Sequence, residues 1–386
     1  MERIAGRSGQ QPGGKGAHGP TMKRLAITSA VLVLAAMVCR RAAASDLVEV
    51  SVGGSRAQVL GTILDEGWEK GITIEYEAEG EKKQRTIPLD AVTKVQRGEL
   101  PPNLSLGLQK IRSQDYEEAL DLLRQFYTEA RQSGPPWALP YALYSAGEAA
   151  GLQAKYAADP EEKSKAYNSA QNAWGMLIKD FPAHRFVPEA VLGRGEMLMW
   201  LKQYDEAASL FRQIQETAFP ERVKAAGQVW NGRMLIEQRK VDEGIAALQK
   251  ARQQWMDKYP DLGYKAMLCE TYGWQAKGTV EDRRKAEEMF ETVGLQSPDQ
   301  EDRSEAFNSR GISLKGRGDR REALLSFLRV VVLHGDVRQE HQRALYEAAL
   351  LSKEVYGNDK RARELQKTLM IRYPNSYWAR KLEKEL

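Results

Sequence analysis

Two patterns of apolar positions divide the chain. Between residues 47 and 96 apolar and polar positions alternate, as in Leu47-Val48-Glu49-Val50-Ser51-Val52 and Gly71-Ile72-Thr73-Ile74-Glu75-Tyr76. Period two puts one face of a segment in a core and the other in water, which predicts strands. Val59 to Leu64 lies between them, and Asp65-Glu66-Gly67 after it reads as a turn. The polar Glu79 to Lys83 reads as a hairpin tip, followed by Thr86-Ile87-Pro88-Leu89 and Val92 to Val95. Four or five short strands in so little chain predict a small, twisted, barrel-like module over 46–98. From residue 103 to the end the spacing is helical.

The helical part is punctuated at a regular interval. Phe181-Pro182, Phe219-Pro220, Tyr259-Pro260, Ser297-Pro298, His334-Gly335 and Tyr373-Pro374 recur with steps of 38, 40, 38, 37 and 39 residues. Proline cannot continue a helix, so each mark ends one. A fixed period in this range predicts stacked helical hairpins, since no single hairpin can bury its own apolar face.

A second signal repeats inside each unit. Gly107, Gly195, Gly232, Gly273, Gly311 and Ala349 fall in the first helix, and Ala119, Ala207, Gly244, Ala286, Ala323 and Ala362 follow twelve or thirteen residues later in the second. Two helices approach closely only where side chains are small, so the constant offset places both residues at one crossing. Acidic residues open the second helix, as in Tyr116-Glu117-Glu118 and Tyr204-Asp205-Glu206, where they complement the positive helix end.

Leu106-Gly107, Tyr116-Glu117-Glu118-Ala119, Tyr204-Asp205-Glu206-Ala207 and Phe211 resemble the tetratricopeptide repeat (TPR). The resemblance covers 103–386, about seven units, each near four residues longer than the family's 34-residue consensus, with an insertion near Tyr156 to Lys163. The Tyr373-Pro374-Asn375-Ser376 ending is similar to those of exported bacterial repeat proteins. Ser376 to Leu386 reads as a charged capping helix. The strand segment resembles SH3-like or Sm-like barrels in its G-x-I, turn, G-I-x-I, hairpin, I-P-L order.

The start of the chain carries a different signal. Residues 1–21 are rich in Gly, Gln and Arg without apolar period and are expected to be disordered. Met22-Lys23-Arg24, the apolar run Leu25 to Val38 and Ala42-Ala43-Ala44-Ser45 form the charged, apolar and small-residue regions of a signal peptide over 22–45. Arg40 and Arg41 keep an uncleaved anchor open. Export to the periplasm or cell envelope follows as an expectation, with membrane association only through that segment.

Charge and composition remove other classes. The chain has 57 Lys and Arg against 53 Asp and Glu, a net charge of +4, but residues 1–45 hold seven bases and one acid, leaving −2 for the rest. Nothing in that balance favours nucleic acid. Only two Cys and four His are present. Cys269, the one cysteine outside the leader, is expected to be a buried thiol. His184, His334 and His341 stand at repeat boundaries without zinc-ligand spacing, and no H-E-x-x-H, C-x-x-C or G-x-S-x-G motif occurs. An enzyme is not expected, nor a cofactor or a metal.

Stacked hairpins leave a concave face lined by their first helices, a surface for partner segments. Positions −3, +1 and +4 from the small crossing residue should point inward. They nominate Tyr144, Glu148, Glu196, Met199, Arg233, Glu270, Trp274, Lys277, Asn308, Lys315, Tyr346 and Lys353. For Trp274 and Tyr346 packing between helices is the competing reading. The expected function is a non-enzymatic scaffold in the cell envelope that binds a protein partner. The alternative is a binder of cell-wall glycan or polymer through the β module, and a homo-oligomer built through that module also stays open.

Overall fold

The computed structural model describes residues 45–52, 55–157, 159–357, 359–374 and 376–385. The expectations for 1–21 and for the signal segment up to residue 44 lie outside these residues.

Five antiparallel strands come first: β1 (Asp46–Val52), β2 (Ser55–Gly67), β3 (Gly71–Ala78), β4 (Glu81–Ile87) and β5 (Val92–Gln96), in the order β4-β3-β2-β1-β5. Val48, Val50, Ile63, Ile72, Ile74 and Ile87 form their core, the inward half of the alternation. Glu79 and Gly80 both have positive φ, 57° and 79°, as the tight turn between β3 and β4 requires. The turn after β2 differs from its sequence reading. Strand β2 runs through Asp65-Glu66-Gly67, and the chain turns at Trp68-Glu69-Lys70 instead. Glu66 is held in extended backbone because Arg185 N donates to its carbonyl at 2.8 Å, and Gly67 pairs with His184.

Fourteen helices then form seven hairpins. They are α1 (Pro102–Arg112) with α2 (Tyr116–Ser133), α3 (Ala138–Tyr156) with α4 (Pro160–Asp180), and α5 (Val187–Trp200) with α6 (Tyr204–Glu216). Next come α7 (Glu221–Glu237) with α8 (Val241–Trp255), and α9 (Pro260–Lys277) with α10 (Val280–Gln296). The last are α11 (Gln300–Arg317) with α12 (Arg320–Leu333) and α13 (Arg338–Tyr356) with α14 (Asp359–Arg372). A final helix, α15 (Tyr377–Glu385), buries Ala379 and Leu382 against the seventh hairpin.

The small crossing residues explain how each hairpin closes. A Cβ on Gly107, Gly195, Gly232 or Gly311 would stand 3.1, 2.7, 2.7 and 2.7 Å from Leu123, Phe211, Leu248 and Phe327. Each partner lies sixteen residues on, so a large side chain of the second helix fills the space left by a glycine of the first. Phe211 and Phe327 are almost fully buried there, each worth about 1.5–3 kcal/mol of transfer free energy. The second hairpin obeys the same rule at a longer offset. Its Trp174 ring occupies a slot between Gly147, Gly151 and Gly193, because α4 is lengthened by the inserted residues.

The strands are tied to the solenoid through one buried carboxylate. Glu66 Oε1 accepts from Tyr141 Oη of α3 at 2.8 Å and from Arg185 Nε of the α4–α5 loop at 2.7 Å. Its other oxygen meets Arg97, whose guanidinium also reaches Asp46 at 3.1 Å. Burial alone would raise the Glu66 pKa, but Arg185, Arg97 and the Tyr141 hydroxyl outweigh it and hold it below the ordinary value. Beside it Trp68 donates to Pro182 O at 2.9 Å and packs edge-on to Phe219.

Candidate binding cavity inside the superhelix

The hairpins coil until late ones meet early ones. Lys155 Nζ of α3 lies 3.0 Å from Glu301 of α11, and Arg338 at the start of α13 donates to Ser113 O after α1 at 3.1 Å. Tyr116 and Tyr156 stack beside these contacts at 6.4 Å. The concave face is therefore drawn into an interior cavity of about 550 Å³, walled by α3, α4, α5, α7, α9, α11 and α13.

Aromatic and charged side chains share the wall. Arg233 lies over the Tyr272 ring at 4.1 Å and the Trp200 ring at 5.4 Å, and pairs with Glu237 at 2.6 Å. Lys155 lies 5.1 Å from the Tyr156 ring centre, Lys163 lies 6.0 Å from that of Tyr167, and Lys265 pairs with Asp302. Tyr272 Oη donates to Glu305 at 2.7 Å, and Asn308 Nδ2 donates to Glu340 at 2.6 Å. Glu196 accepts from Trp200 Nε1 at 3.4 Å.

The carboxyl groups fall into two electrostatic sets. Burial would raise Glu301 and Glu305, yet nearby Lys155 and Lys265 hold both below the ordinary value. Burial does raise Glu148, with no charge to oppose it, and raises Glu196 against the pull of Lys155. Glu340 is raised by burial and by Glu305. Burial also pushes the Cys269 thiol up to about 12, so the sulfur in this wall stays protonated.

Three of the residues nominated from sequence, Glu148, Glu196 and Arg233, line this cavity together. They occupy the same position, one residue after Gly147, Gly195 and Gly232, on successive first helices. The other nine lie elsewhere. Tyr144 stacks on Phe186 at 4.2 Å, and Met199 is buried in the core of the third hairpin. Glu270 is fully buried and accepts from Gln249 and Trp274, whose ring also carries Lys285 at 3.5 Å. Lys277 reaches Asp242, and Asn308 bonds the first turn of α13. Lys315 pairs with Glu347, Tyr346 donates to Glu385 and so fastens α15, and Lys353 is exposed.

The wall drifts along the helices, which a fixed offset cannot follow. On α3 the lining residues Glu148, Leu152 and Lys155 follow Gly147. On α7 Trp230 and Arg233 straddle Gly232; on α9 Lys265, Cys269 and Tyr272 precede Gly273. On α11 and α13, Asp302, Glu305, Glu340 and Arg343 lie two turns before the crossing residue. At 1.5 Å per residue the shift from α3 to α13 is roughly 18 Å. Successive hairpins advance along the superhelix axis as well as rotating about it, so the point nearest the axis slides toward each helix's start.

No family model matches the sequence, and no curated protein matches it. Solved structures do. The chain is similar to PilW, a widely conserved type IV pilus biogenesis factor, at 20% identity over 61% of this chain and 97% of that one, TM-score 0.40. It is similar to the quorum sensor NprR of B. thuringiensis at 12% identity over 72% and 79%, TM-score 0.43. It is also similar to an IFIT1 monomeric mutant with m7Gppp-AAAA at 14% identity over 75% and 62%, TM-score 0.49. The chain's own described helices form a solenoid of hairpins behind a small antiparallel sheet. Among the described residues of this solenoid and its sheet, no helix is long and apolar enough to cross a membrane.

Proposed function

We propose that this protein is a non-enzymatic binding protein that holds a segment of a protein partner inside the superhelical turn. One observation carries the reading: six first helices converge on one cavity whose wall offers Trp200, Trp230, Tyr156, Tyr167 and Tyr272 as anchors. Aromatic residues supply most of the affinity at such surfaces, and neighbouring charges set which segment fits. The groups that could have served chemistry are spent in packing. Cys269 keeps its proton, and His341, the neighbour of the wall residue Glu340, is buried and bonded to Tyr373 at 2.8 Å.

The cellular site follows from the leader. The pattern of Met22 to Ser45 supports export to the cell envelope, and an intact mass of the purified protein distinguishes cleavage after Ala44 or Ser45 from an uncleaved anchor. The test of function is site-directed photocrosslinking in the intact envelope, from Leu152 in the cavity wall, from Val332, an exposed position on α12, and from Arg85, an exposed position on β4. Adducts to a partner from Leu152 are expected. Adducts from Val332 with none from Leu152 would remove the interior as the binding surface, and adducts only from the exposed edge strand β4 would turn the function toward the sheet.

A further inference from the structure

The cavity wall is unequal in what it leaves unpaired. Of its five cations Lys155 pairs with Glu301, Lys265 with Asp302 and Arg233 with Glu237, while Lys163 and Arg343 form no ion pair among the described residues; of its seven carboxylates, among the described residues, Glu301 and Asp302 alone do. Glu148 and Glu196 stand at equivalent positions on neighbouring helices α3 and α5, and neither forms an ion pair among the described residues. Glu196 touches only the Trp200 N–H at 3.4 Å. Next to them the protein's own cations already lie over the rings of Tyr156, Tyr167, Trp200 and Tyr272. Such placements are favourable because a ring face is electron-rich, and more so when both groups leave water. Lys155 reaches from α3 to Glu301 of α11 and adds a fixed positive charge to the same wall.

We propose that the interior of the ring recognises a lysine- or arginine-bearing segment of the partner, its cation seated at Glu148 and Glu196. This deepens the function proposed above and rests on it. The complementarity is of charge and of surface together. These two carboxylates lack a counter-ion, while the aromatic wall beside them suits the alkyl stem of a long cationic side chain. A bound carboxylate would instead face a wall of seven carboxylates against five cations.

The experiment uses the full-length protein and three fluorescent peptides built from glycine and serine with interspersed lysines, glutamates or no charge, read by anisotropy. The lysine peptide is expected to bind at least about tenfold more tightly than the other two. Glu148→Gln and Glu196→Gln are expected to weaken it by about tenfold each without lowering the melting temperature. Lys155→Met is expected to tighten it, since a like charge in the wall is gone. Leu152→Trp, which fills the cavity, should abolish binding. If the glutamate or uncharged peptide binds as well as the lysine peptide and Leu152→Trp still blocks it, the interior is the binding surface but the cationic specificity is wrong. If the lysine peptide ignores both glutamine variants, or binds less well to Lys155→Met, the assignment of these residues is overturned. If no peptide binding responds to Leu152→Trp, the interior reading falls with it.

Discussion

Lys155 and Glu301, 146 positions apart in the chain, meet at 3.0 Å across the mouth of the superhelix. Nothing local brings them together. The sixth hairpin comes round to the second only because each hairpin–hairpin junction adds its share of rotation, and the pair records the sum. Both side chains keep over a third of their surface, so the bond itself is worth no more than about 1 kcal/mol.

The first prediction follows from that small value. Glu301→Lys is expected to change thermal stability little but to open the ring. Small-angle scattering should report a larger radius of gyration for Glu301→Lys, and Lys155→Glu combined with Glu301→Lys should restore the compact value. An unchanged radius in the single variant would show that the junctions alone hold the ring closed.

The sheet depends on a stronger contact. Glu66 is buried with Arg97 and Arg185 against it, and removing one partner of a buried ion pair costs about 3–5 kcal/mol. Glu66→Ala is therefore expected to destabilise the protein by that amount, with β1–β5 losing amide protection from hydrogen exchange before α7–α15. Uniform loss of protection over the whole chain would contradict this order.

Two histidines set an acid limit. Burial, with Arg185 and Arg97 beside it and Glu66 opposing, lowers the His184 pKa to about 4. Burial, with Arg372 beside it, does the same to His341. Both are neutral in the folded protein while the unfolded chain binds a proton near pH 6.5. Their contribution is thus fully present above the unfolded value and is lost as pH falls from about 6.5 toward 4, up to about 3 kcal/mol each. Urea midpoints measured across that window should fall with pH in the parent and fall less in His341→Gln.

The hairpin crossing gives a fourth test. Gly311→Ala places a methyl 2.7 Å from the Phe327 ring, and overpacking of this kind costs about 1–3 kcal/mol. Phe327→Leu shortens the ring that is struck, so the double variant should lose less than the sum of the singles. Additive losses would mean that the two residues do not share the crossing.

How much of this was legible in the sequence depends on range. The hairpins were, because Gly311 and Phe327, or Gly195 and Phe211, lie within one unit and recur at one offset. The β3–β4 turn was, because Glu79-Gly80 carries its own backbone preference. Glu66 was not: in Asp65-Glu66-Gly67 it looks like a turn residue, and only Arg185, more than a hundred positions on, makes it a buried strand residue. Of the candidate site, Glu148, Glu196 and Arg233 came from the offset rule, whereas Lys155, Lys265 and Glu305 did not. Their place depends on the advance of the superhelix per hairpin, which emerges from packing angles that no single repeat encodes.

Trp68 joins two places at once: its N–H holds the carbonyl of Pro182 and its ring rests on Phe219. Those residues lie in successive joints of the solenoid, before α5 and before α7. A brace fixed at both joints forbids them to hinge independently, so bending must concentrate downstream, between α7 and α13. If a segment enters the superhelix as proposed, the rim carrying Glu301 is the one expected to yield, and the sheet, far from the guest, would set that choice.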